Sequence, residues 1–391
     1  MSAFPFLAAA SAVLAVSGCV QSMAGALLLR RFRTQERKPV TLTPLPPVTV
    51  LKPLYGSEPL LEEALESFCT QDYPGGAVQI LFGVRDDDDP AIAIVRRLQQ
   101  RHPHLDMQIV INPAVHGMNR KISNLMNILP QAKYDILVIS DSDIHVTPDY
   151  LRHIVSALSK PGTGLVTTLY AGLPAKSTVV QMLAACQINH NFLPGVILSR
   201  YLGRQDCLGA TMALKREMLD AVGGFEALLP HVADDALLGR LVRQRGYDIT
   251  IADCLTWTTI AERNTSELLS HELRWGRTVC TLAPAGYAAS SIQLPLFWAT
   301  LVFLFQPHAL WACLLFFNVW AIRAVTALLI DRTVGTRRLW PLLLLPMRDW
   351  LSAAIMVGSA SGTRVDWRGQ TMHVAPHPIP PPSPGHLSAE R

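Results

Sequence analysis

Charged residues are scarce in this sequence, and the shortage is concentrated in two stretches. Only 16% of the 391 residues are Asp, Glu, Lys or Arg, whereas soluble domains carry about 25%. Residues 1–29 contain no charged residue, and residues 279–330 contain only Arg323. Because half of the residues are hydrophobic, the composition excludes a disordered chain and an ordinary soluble enzyme. It indicates membrane segments on either side of a charged central region.

The sequence also lacks the signatures of nucleic-acid, zinc, dinucleotide and P-loop proteins. The net charge of +4 is mild, so no nucleic acid is expected as a partner. The seven cysteines are odd in number and never in a CxxC spacing, which argues against a disulfide framework and a zinc site. No GxGxxG or GxxxxGK[ST] motif opens a helix, which counts against a Rossmann fingerprint and a P-loop.

The apolar residues 4–29 are long enough to cross a bilayer, since about 20 apolar residues span the hydrocarbon core. Basic residues follow them directly, namely Arg30, Arg31, Arg33, Arg37 and Lys38. The positive-inside rule places the N-terminus outside and the following region in the cytoplasm. A cleaved signal peptide and a lipoprotein signal ending at Cys19 are alternatives, but both need basic residues before the apolar run. We therefore expect a retained anchor.

Two further apolar stretches follow the central region. Residues 292–330 are interrupted by a Gln-Pro-His tripeptide, which predicts a hairpin of two spans. Residues 339–361 contain Arg348 and Asp349 and fit a full span, a re-entrant hairpin or an interfacial helix equally well. The predicted organisation is an N-terminal transmembrane anchor (1–30), a cytoplasmic domain (46–280), transmembrane or interfacial helices (290–361) and a Pro-rich disordered tail (370–391).

Short apolar runs alternate with helical patterns in the central region. The runs cover residues 48–51, 78–84, 107–111 and 136–139. Each run has the length and composition of a buried strand, and amphipathic helical periodicity lies between them. Strands that alternate with helices favour a largely parallel sheet with crossover helices.

Three acidic clusters lie at the ends of these elements. Residues 86–89 follow the second strand, and alone they fit a solvated turn as well as a site. Asp141 and Asp143 follow the fourth strand, where two carboxylates can approach one Mg²⁺ or Mn²⁺ that bridges to a substrate diphosphate. Ligands of open α/β sheets bind at this edge. Asp234 and Asp235 precede an apolar helix, where one can cap the helix and the other can act as a general base.

A pentapeptide with a basic and an aromatic residue, His271-Glu-Leu-Arg-Trp275, lies before the second apolar block. Arg274 offers a delocalised cation for phosphate oxygens. Trp275 can stack on a ring or lie at the bilayer surface. Read in isolation, the pentapeptide is typical of an amphipathic helix.

In their order along the chain, these features resemble a membrane-bound glycosyltransferase of the ceramide glucosyltransferase type, and in particular its bacterial, hopanoid-associated branch. The resemblance covers residues 46–280 and the anchor layout. That family carries an acidic motif after the second strand, an Asp motif after the fourth, a third Asp, and a [Q/R]xxRW motif. These motifs fall on Asp86 to Asp89 (Asp89 matching best), on Asp141 with Asp143, on Asp235, and on Arg274 with Trp275.

Smaller matches support the resemblance, and one position departs from it. The matches are Leu51–Leu54, Gln71–Pro74, Asn119–Met126, Gly223–Phe225 and His190. The first residue of the [Q/R]xxRW motif is His271 here. Histidine can still donate a hydrogen bond or carry charge, so the site need not be lost.

The resemblance implies a nucleotide-sugar-binding (GT-A-type) α/β fold, with a Rossmann-like mixed sheet and transmembrane helices at both ends. It further implies inverting transfer of glucose or N-acetylglucosamine from a UDP-sugar to a hydroxyl of a membrane lipid, either a hopanoid polyol or ceramide or diacylglycerol. The implied location is the inner membrane of a bacterium. The implied site residues are Asp86, Asp88 and Asp89 for the uridine, Asp141 with Lys121 for the donor, Asp141 and Asp143 for Mg²⁺ or Mn²⁺, Asp235 as general base, and His190, His271, Arg274 and Trp275 for the acceptor and diphosphate.

Two other functions compete with this interpretation. A processive polysaccharide synthase of the same superfamily usually has more membrane spans and often Gln at the position of His271. A non-enzymatic nucleotide-binding membrane protein or a transporter would concentrate polar residues within its spans. Here the predicted spans are nearly bare and the acidic residues cluster in the central domain.

Overall fold

Strands and helices alternate through the computed structural model, which describes residues 4–36, 44–336, 339–362, 364–367 and 370–373. The strands are β1 (Val48–Pro53), β2 (Val78–Val84), β3 (Asp106–Ile111), β4 (Ile136–Ser140), β5 (Ile144–His145), β6 (Thr163–Pro174), β7 (Thr211–Lys215), β8 (Asp248–Ile260), β9 (Arg364–Trp367) and β10 (Gln370–His373). The helices of the first 250 residues are α1 (Phe4–Glu36), α2 (Leu61–Cys69), α3 (Ala91–Arg101), α4 (Arg120–Ile128), α5 (Tyr150–Leu158), α6 (Val179–Cys186), α7 (Leu193–Tyr201), α8 (Arg216–Ala221) and α9 (Asp234–Gln244). The later helices are α10 (Thr265–Leu282), α11 (Pro284–Ala289), α12 (Pro295–Phe305), α13 (Leu310–Val334) and α14 (Leu345–Ala360).

Eight strands form one mixed sheet in the order β3-β2-β1-β4-β7-β6-β8-β5. The first four strands along the chain pair in parallel, as the alternating pattern predicts. Strand β7 then pairs antiparallel with both β4 and β6, and β5 pairs antiparallel with β8. The sheet is therefore mixed, as the resemblance implies, and less uniformly parallel than the strand pattern alone predicts.

Alternate side chains of the central strands enter two hydrophobic layers, because successive residues of a strand point to opposite faces. Val50 of β1 packs with residues of α2, α3 and α5, whereas its neighbour Leu51 packs with residues of α4, α8 and α9. Both residues are fully buried. Helices thus cover both faces of the sheet, and the carboxyl edge of its parallel half stays available for a site.

Several element boundaries differ from the predicted ones. The helical periodicity of residues 58–69 predicts a helix that starts at Glu58, but α2 begins at Leu61 because Leu60 has a left-handed backbone, with φ of 57°. Strand β1 continues through Lys52 and Pro53. Asp234 and Asp235 lie within the first turn of α9 and not ahead of it. The thiols of all seven cysteines are free, in agreement with the absence of a disulfide pattern.

Three helical segments are long and apolar enough to cross a membrane: Phe4–Glu36, Leu310–Val334 and Trp340–Ala360. The predicted hairpin has unequal legs, since α12 has only 11 residues and extends about 16 Å at 1.5 Å per residue. A helical segment at Pro284–Gln293 precedes it with a bend of 70°, and the two together make a possible fourth span. Of the predicted tail, residues 370–373 form strand β10, and residues 374–391 lie outside the described residues.

Small residues allow α1 to pack closely against the rest of the protein. A Cβ atom at Gly25 would lie 2.6 Å from the carbonyl oxygen of Pro194, at the start of α7. A Cβ atom at Gly18 would collide with the carbonyl oxygen of Ile292. Glycine at these positions is therefore required by the close approach of the helices, as is common between membrane helices.

Candidate active site

A cavity of about 1920 Å³ opens at the carboxyl edge of β1, β2 and β4. Its wall contains Asp141, Asp143 and Asp235, and it continues past α10 to side chains of α1 and α14. Pockets for a single small molecule usually measure about 300–1,000 Å³. The cavity therefore has room for two substrates side by side.

Asp141 and Asp143 lie just beyond the end of β4, as predicted. The Asp143 carboxylate accepts a hydrogen bond of 2.5 Å from the Thr258 hydroxyl of β8. Burial and the neighbouring Asp141 charge raise the pKa of Asp143 to about 6, although the Thr258 hydrogen bond opposes this. Asp143 is thus a carboxylate that burial and a second nearby carboxylate both disfavour in its charged form.

Lys121 links two of the acidic clusters from the first turn of α4. Its ammonium nitrogen lies 2.7 Å from Asp141 Oδ1 and 3.5 Å from Asp234 Oδ2. Burial alone lowers the pKa of Lys121, but the Asp141 and Asp234 carboxylates outweigh it and raise the pKa above its usual range. Lys121 therefore stays cationic at the centre of the acidic site.

Asp235 lies in the first turn of α9 and lines the same cavity. Its Oδ1 accepts a hydrogen bond of 2.7 Å from the Ala236 amide. Burial raises the pKa of Asp235, and the neighbouring Asp234 charge raises it further, whereas Lys121 lowers it. A Cβ atom at Gly209 would lie 2.9 Å from Asp235 Oδ2, so glycine leaves room for this carboxylate. A buried carboxylate with a raised pKa is suited to accept a proton.

Lys52 was not predicted as a site residue, but its side chain binds the backbone of the acidic motif that follows β4. Its fully buried ammonium group donates to the Asp141 carbonyl oxygen at 2.5 Å and to Ser140 Oγ at 3.3 Å. It also lies 3.9 Å from the centre of the Phe68 ring. Burial lowers the pKa of Lys52 to about 7, against the attraction of Asp143 and Asp141. The signal in the sequence is a lysine within an otherwise apolar strand.

The two carboxylates after β4 fit a Mg²⁺ or Mn²⁺ ion. They supply hard oxygen ligands, which these ions prefer, and they lie two residues apart at the cavity wall. Within the described ranges, no group of three or more His, Cys, Asp or Glu side chains forms a complete metal site. Mg²⁺ is usually held by one or two carboxylates and completed by substrate phosphates and water.

The carboxylates of the acidic run after β2, residues 86–89, are not part of the described cavity wall. Asp89 accepts hydrogen bonds from the Gly56 amide at 3.0 Å and from the Ala91 amide at 2.9 Å. It thereby caps α3 and fixes the loop after β1. In the described part of the cavity wall, Arg85 takes part and the four carboxylates do not. Their contact with the uridine stays a prediction.

Four residues of the His271 pentapeptide line the cavity from α10, namely His271, Glu272, Arg274 and Trp275. His271 is hydrogen-bonded to Glu262 through Nδ1 and meets the Trp275 ring edge-on, with 5.0 Å between the ring centres. Trp275 also packs on Phe192, with a centre distance of 6.3 Å. His271, Arg274 and Trp275 all lie on the cavity wall. The pentapeptide is an amphipathic helix segment and also part of the candidate site.

His190 lies in a π-helical turn, Gln187–Phe192, and is nearly fully buried. Its Nε2 lies 2.8 Å from Asp331 Oδ1 of α13. Among the described residues, its neighbours Ile188 and Asn191 form the cavity wall in its place. The structure thus places His190 at the junction with a candidate membrane helix, and a role in acceptor binding stays a prediction.

A buried ion pair connects the candidate site to the last candidate membrane helix. Arg348 of α14 donates two hydrogen bonds of 2.7 Å each to the carboxylate of Glu272, which follows His271 in α10. In the sequence, Arg348 and Asp349 interrupt an apolar stretch. Opposite charges within such a stretch are in fact a signal of buried pairing in membrane segments.

Comparison with known proteins identifies relatives that are named as lipid glucosyltransferases. The family model described as "Glycosyl transferase family 21" matches residues 10–379. Ceramide glucosyltransferase 1 of Caenorhabditis elegans is 27% identical over 221 residues, which cover 53% of this chain and 44% of that protein. Beta-monoglucosyldiacylglycerol synthase of Synechocystis sp. is 26% identical over 221 residues, covering 54% of this chain and 45% of that protein. The chain thus spans about half the length of the curated relatives it matches.

Among solved structures, a mannosyltransferase of Pyrobaculum calidifontis in complex with GDP-Man and Mn²⁺ is 21% identical, with a TM-score of 0.48. It covers 90% of this chain and 97% of its own. The family match spans most of the chain and confirms the resemblance drawn from the ordered motifs, whereas the hopanoid branch stays a prediction. The chain belongs to Glycosyl transferase family 21.

Proposed function

We propose that this protein transfers glucose or N-acetylglucosamine from a UDP-sugar to a hydroxyl group of a membrane lipid, with inversion at the anomeric carbon. The acceptor is a ceramide, a diacylglycerol or a hopanoid polyol. The two named relatives act, by their names, on ceramide and diacylglycerol.

The observation that carries the proposal is the continuity of the cavity. One end is lined by Asp141, Asp143 and Asp235, and the other by Ile355 and Met356 of a candidate membrane helix. A water-soluble, anionic donor fits the charged end, and the acyl or ring portion of a lipid fits the apolar end. Asp235 lines the cavity beside the charged end, where its carboxylate can reach an acceptor hydroxyl that approaches a bound donor.

The site residues then have distinct proposed roles. Asp235 accepts the proton of the acceptor hydroxyl as its oxygen attacks the anomeric carbon from the side opposite the leaving group. Lys121 and Arg274 contribute positive charge for the diphosphate, and Arg274 is suited to do so because its planar guanidinium matches phosphate oxygens. His271 and Trp275 border the acceptor, and one or more of Asp86, Asp88 and Asp89 contact the uridine.

Asp141 and Asp143 would hold a Mg²⁺ or Mn²⁺ ion. Such an ion, when bound, neutralises the charge that develops on the departing diphosphate. The protein's own contribution is to fix the two carboxylates, through Lys121 at Asp141 and Thr258 at Asp143.

We also propose the arrangement of the chain in the membrane. Residues 1–30 form the anchor, 46–280 form the catalytic domain, and 290–361 form the C-terminal membrane and interfacial helices. The basic residues after the anchor place the catalytic domain in the cytoplasm, by the positive-inside rule. In a bacterium the membrane is the inner one, where UDP-sugars are available on the cytoplasmic side.

The direct test uses the purified full chain in phosphatidylcholine nanodiscs that contain ceramide, diacylglycerol or a hopanoid polyol, with UDP-[¹⁴C]glucose or UDP-[¹⁴C]GlcNAc. We expect labelled glycolipid from one donor, with the β configuration by NMR if the donor sugar is α-linked. Asp235→Asn should lower kcat at least about 10³-fold while the protein remains folded. Near-normal turnover by this variant would refute the assignment of the base.

The matched control is Asp220→Asn, an exposed carboxylate outside the cavity, which should leave transfer unchanged. Product size distinguishes the polysaccharide synthase, because a single added sugar supports lipid transfer and a long polymer supports processive synthesis. Donor binding without any transfer would favour a non-enzymatic protein.

A further inference from the structure

We propose that three glutamines, Gln21, Gln187 and Gln293, form a subsite that binds the uncharged polar backbone of the lipid acceptor. This inference rests on the proposed function and extends it to the chemistry of acceptor recognition. All three side chains are half-buried and line the cavity. They come from three separate elements: α1, the π-helical turn before α7, and the turn before α12. We call them the glutamine cluster.

Gln21 is placed by the close packing of α1. It lies three residues after Gly18 and four before Gly25, so the three share one helix face. That face touches Ile292 at Gly18 and Pro194 at Gly25. Gln21 is therefore held between the turn that carries Gln293 and the start of α7. It is also the one Asn, Gln or charged residue among residues 4–29.

Gln293 is placed by a second glycine contact. A Cβ atom at Gly195 of α7 would lie 2.7 Å from Gln293 Nε2 and 2.9 Å from its Oε1. The amide group thus lies flat against the backbone of α7, next to the Pro194 contact of α1. Within the described residues, no protein partner satisfies the side-chain amides of Gln21 or Gln293. A polar amide beside apolar membrane helices is costly unless a ligand or water completes its hydrogen bonds.

Gln187 is oriented by its neighbours. Its Oε1 accepts hydrogen bonds from Ser352 Oγ at 2.9 Å and from Asn191 Nδ2 at 3.0 Å. The carbonyl end of the amide is thereby fixed, and among the described residues its Nε2 has no protein acceptor. Gln187 can therefore donate a hydrogen bond to a hydroxyl or carbonyl oxygen in the cavity.

The charges near the glutamine cluster are already paired with each other. Arg348 is bound in bidentate fashion by Glu272. Arg323 lies 3.6 Å from Asp349 and also donates to the carbonyl oxygen of His190 at 2.9 Å. These two buried arginines thus add little net charge beside Gln187, and the three glutamines add amide donors and acceptors without charge. This chemistry fits hydroxyl, amide or ester groups of a neutral lipid better than an anionic phosphate head group.

The test measures acceptor kinetics in phosphatidylcholine nanodiscs with ceramide, diacylglycerol, a hopanoid polyol or phosphatidylglycerol as the offered acceptor. We expect transfer to a neutral lipid and none to phosphatidylglycerol. Gln21→Leu and Gln293→Leu should each raise KM for the neutral lipid about three- to tenfold, the effect of losing one hydrogen bond, and leave KM for the UDP-sugar unchanged. Ser17→Leu, on the exposed side of α1, and Gln306→Leu, outside the described cavity wall, are the matched controls.

A second measurement does not depend on turnover. Asp235→Asn protein should bind NBD-labelled diacylglycerol, and adding Gln21→Leu should weaken that binding by a similar factor. Unchanged lipid KM in both leucine variants, together with unchanged lipid binding in the Gln21→Leu variant, would overturn the proposed role of the glutamine cluster and leave the proposed function standing. Efficient transfer to phosphatidylglycerol would overturn its neutral selectivity. Absence of transfer to every lipid, together with absence of NBD-diacylglycerol binding, would overturn both the proposed function and the role of the glutamine cluster.

Discussion

Arg348 in the last candidate membrane helix and Glu272 in the helix that carries Arg274 are joined by two hydrogen bonds of 2.7 Å each. The Arg348 side chain is fully buried, and that of Glu272 is 11% exposed. One residue of a candidate membrane helix is thus bonded to the helix that borders the candidate active site.

Replacing Arg348 with Met should destabilise the protein by about 1–3 kcal/mol, because the largely buried Glu272 carboxylate loses two hydrogen bonds to a cation. The measurement is thermal unfolding in detergent, together with a double-mutant cycle. The double variant Arg348→Met with Glu272→Met should recover much of the loss. Additive effects of the two substitutions would contradict an energetic coupling.

The pH dependence of kcat should reflect the ionisation of Asp235. As the proposed base it must be ionised, and burial together with Asp234 raises its pKa. Activity should therefore fall as pH decreases through a value above the ordinary carboxyl range of about 4. Asp234→Asn removes the neighbouring negative charge and should move this acid limb to lower pH. Asp220→Asn serves as the control, and an unmoved limb in Asp234→Asn would disprove the coupling.

A chelator should abolish transfer, and Mg²⁺ or Mn²⁺ should restore it. The proposed ligands are Asp141 and Asp143, so Asp143→Asn should raise the ion concentration needed for half-maximal activity. Asp253→Asn, an exposed carboxylate paired with Lys160, should show the wild-type ion dependence. Full activity in excess chelator would remove the ion from the mechanism.

Substitutions of Asp89 and of Asp87 should differ in their effect on the stability of the protein, although both residues belong to one acidic run. Asp89→Ala removes acceptors for the Gly56 and Ala91 amides and should cost about 1–2 kcal/mol of stability. Asp87→Ala should cost almost nothing, because this residue is exposed. Thermal unfolding and the KM for the UDP-sugar should both be measured. A large rise in that KM at unchanged stability would instead show that Asp89 contacts the donor.

Gly209→Ala should lower kcat at least about tenfold with little loss of stability. The new Cβ would lie 2.9 Å from Asp235 Oδ2, so the carboxylate must move, and small displacements of a reacting group are costly to rate. Gly286→Ala is the control, since the nearest atom to its new Cβ is 3.7 Å away. Equal kcat values for the two variants would show that the position of Asp235 tolerates movement.

Residues that follow a regular pattern were predictable from the sequence. The apolar runs give β1 to β4, and their parallel pairing brings Asp141 to the carboxyl edge of the sheet. Ordered motifs predict the membership of a glycosyltransferase family, which the family match confirms. The second half of the sheet was not predicted, because the antiparallel strand β7 pairs with β4 across more than 70 residues of chain. Such pairing leaves no local periodicity.

The sequence by itself determined the charge-poor apolar segments that form the candidate membrane helices, the parallel half of the sheet and the acidic residues at its edge. These depend on local hydrophobicity and on spacing along one element. Only the tertiary structure decided that Asp89 caps a helix, that Lys52 lies beneath Asp141 and that Arg348 holds Glu272. It likewise brought Gln21, Gln187 and Gln293 to one cavity. Each of these arrangements depends on side chains from distant elements, whose meeting is set by packing and by the pairing of buried charges.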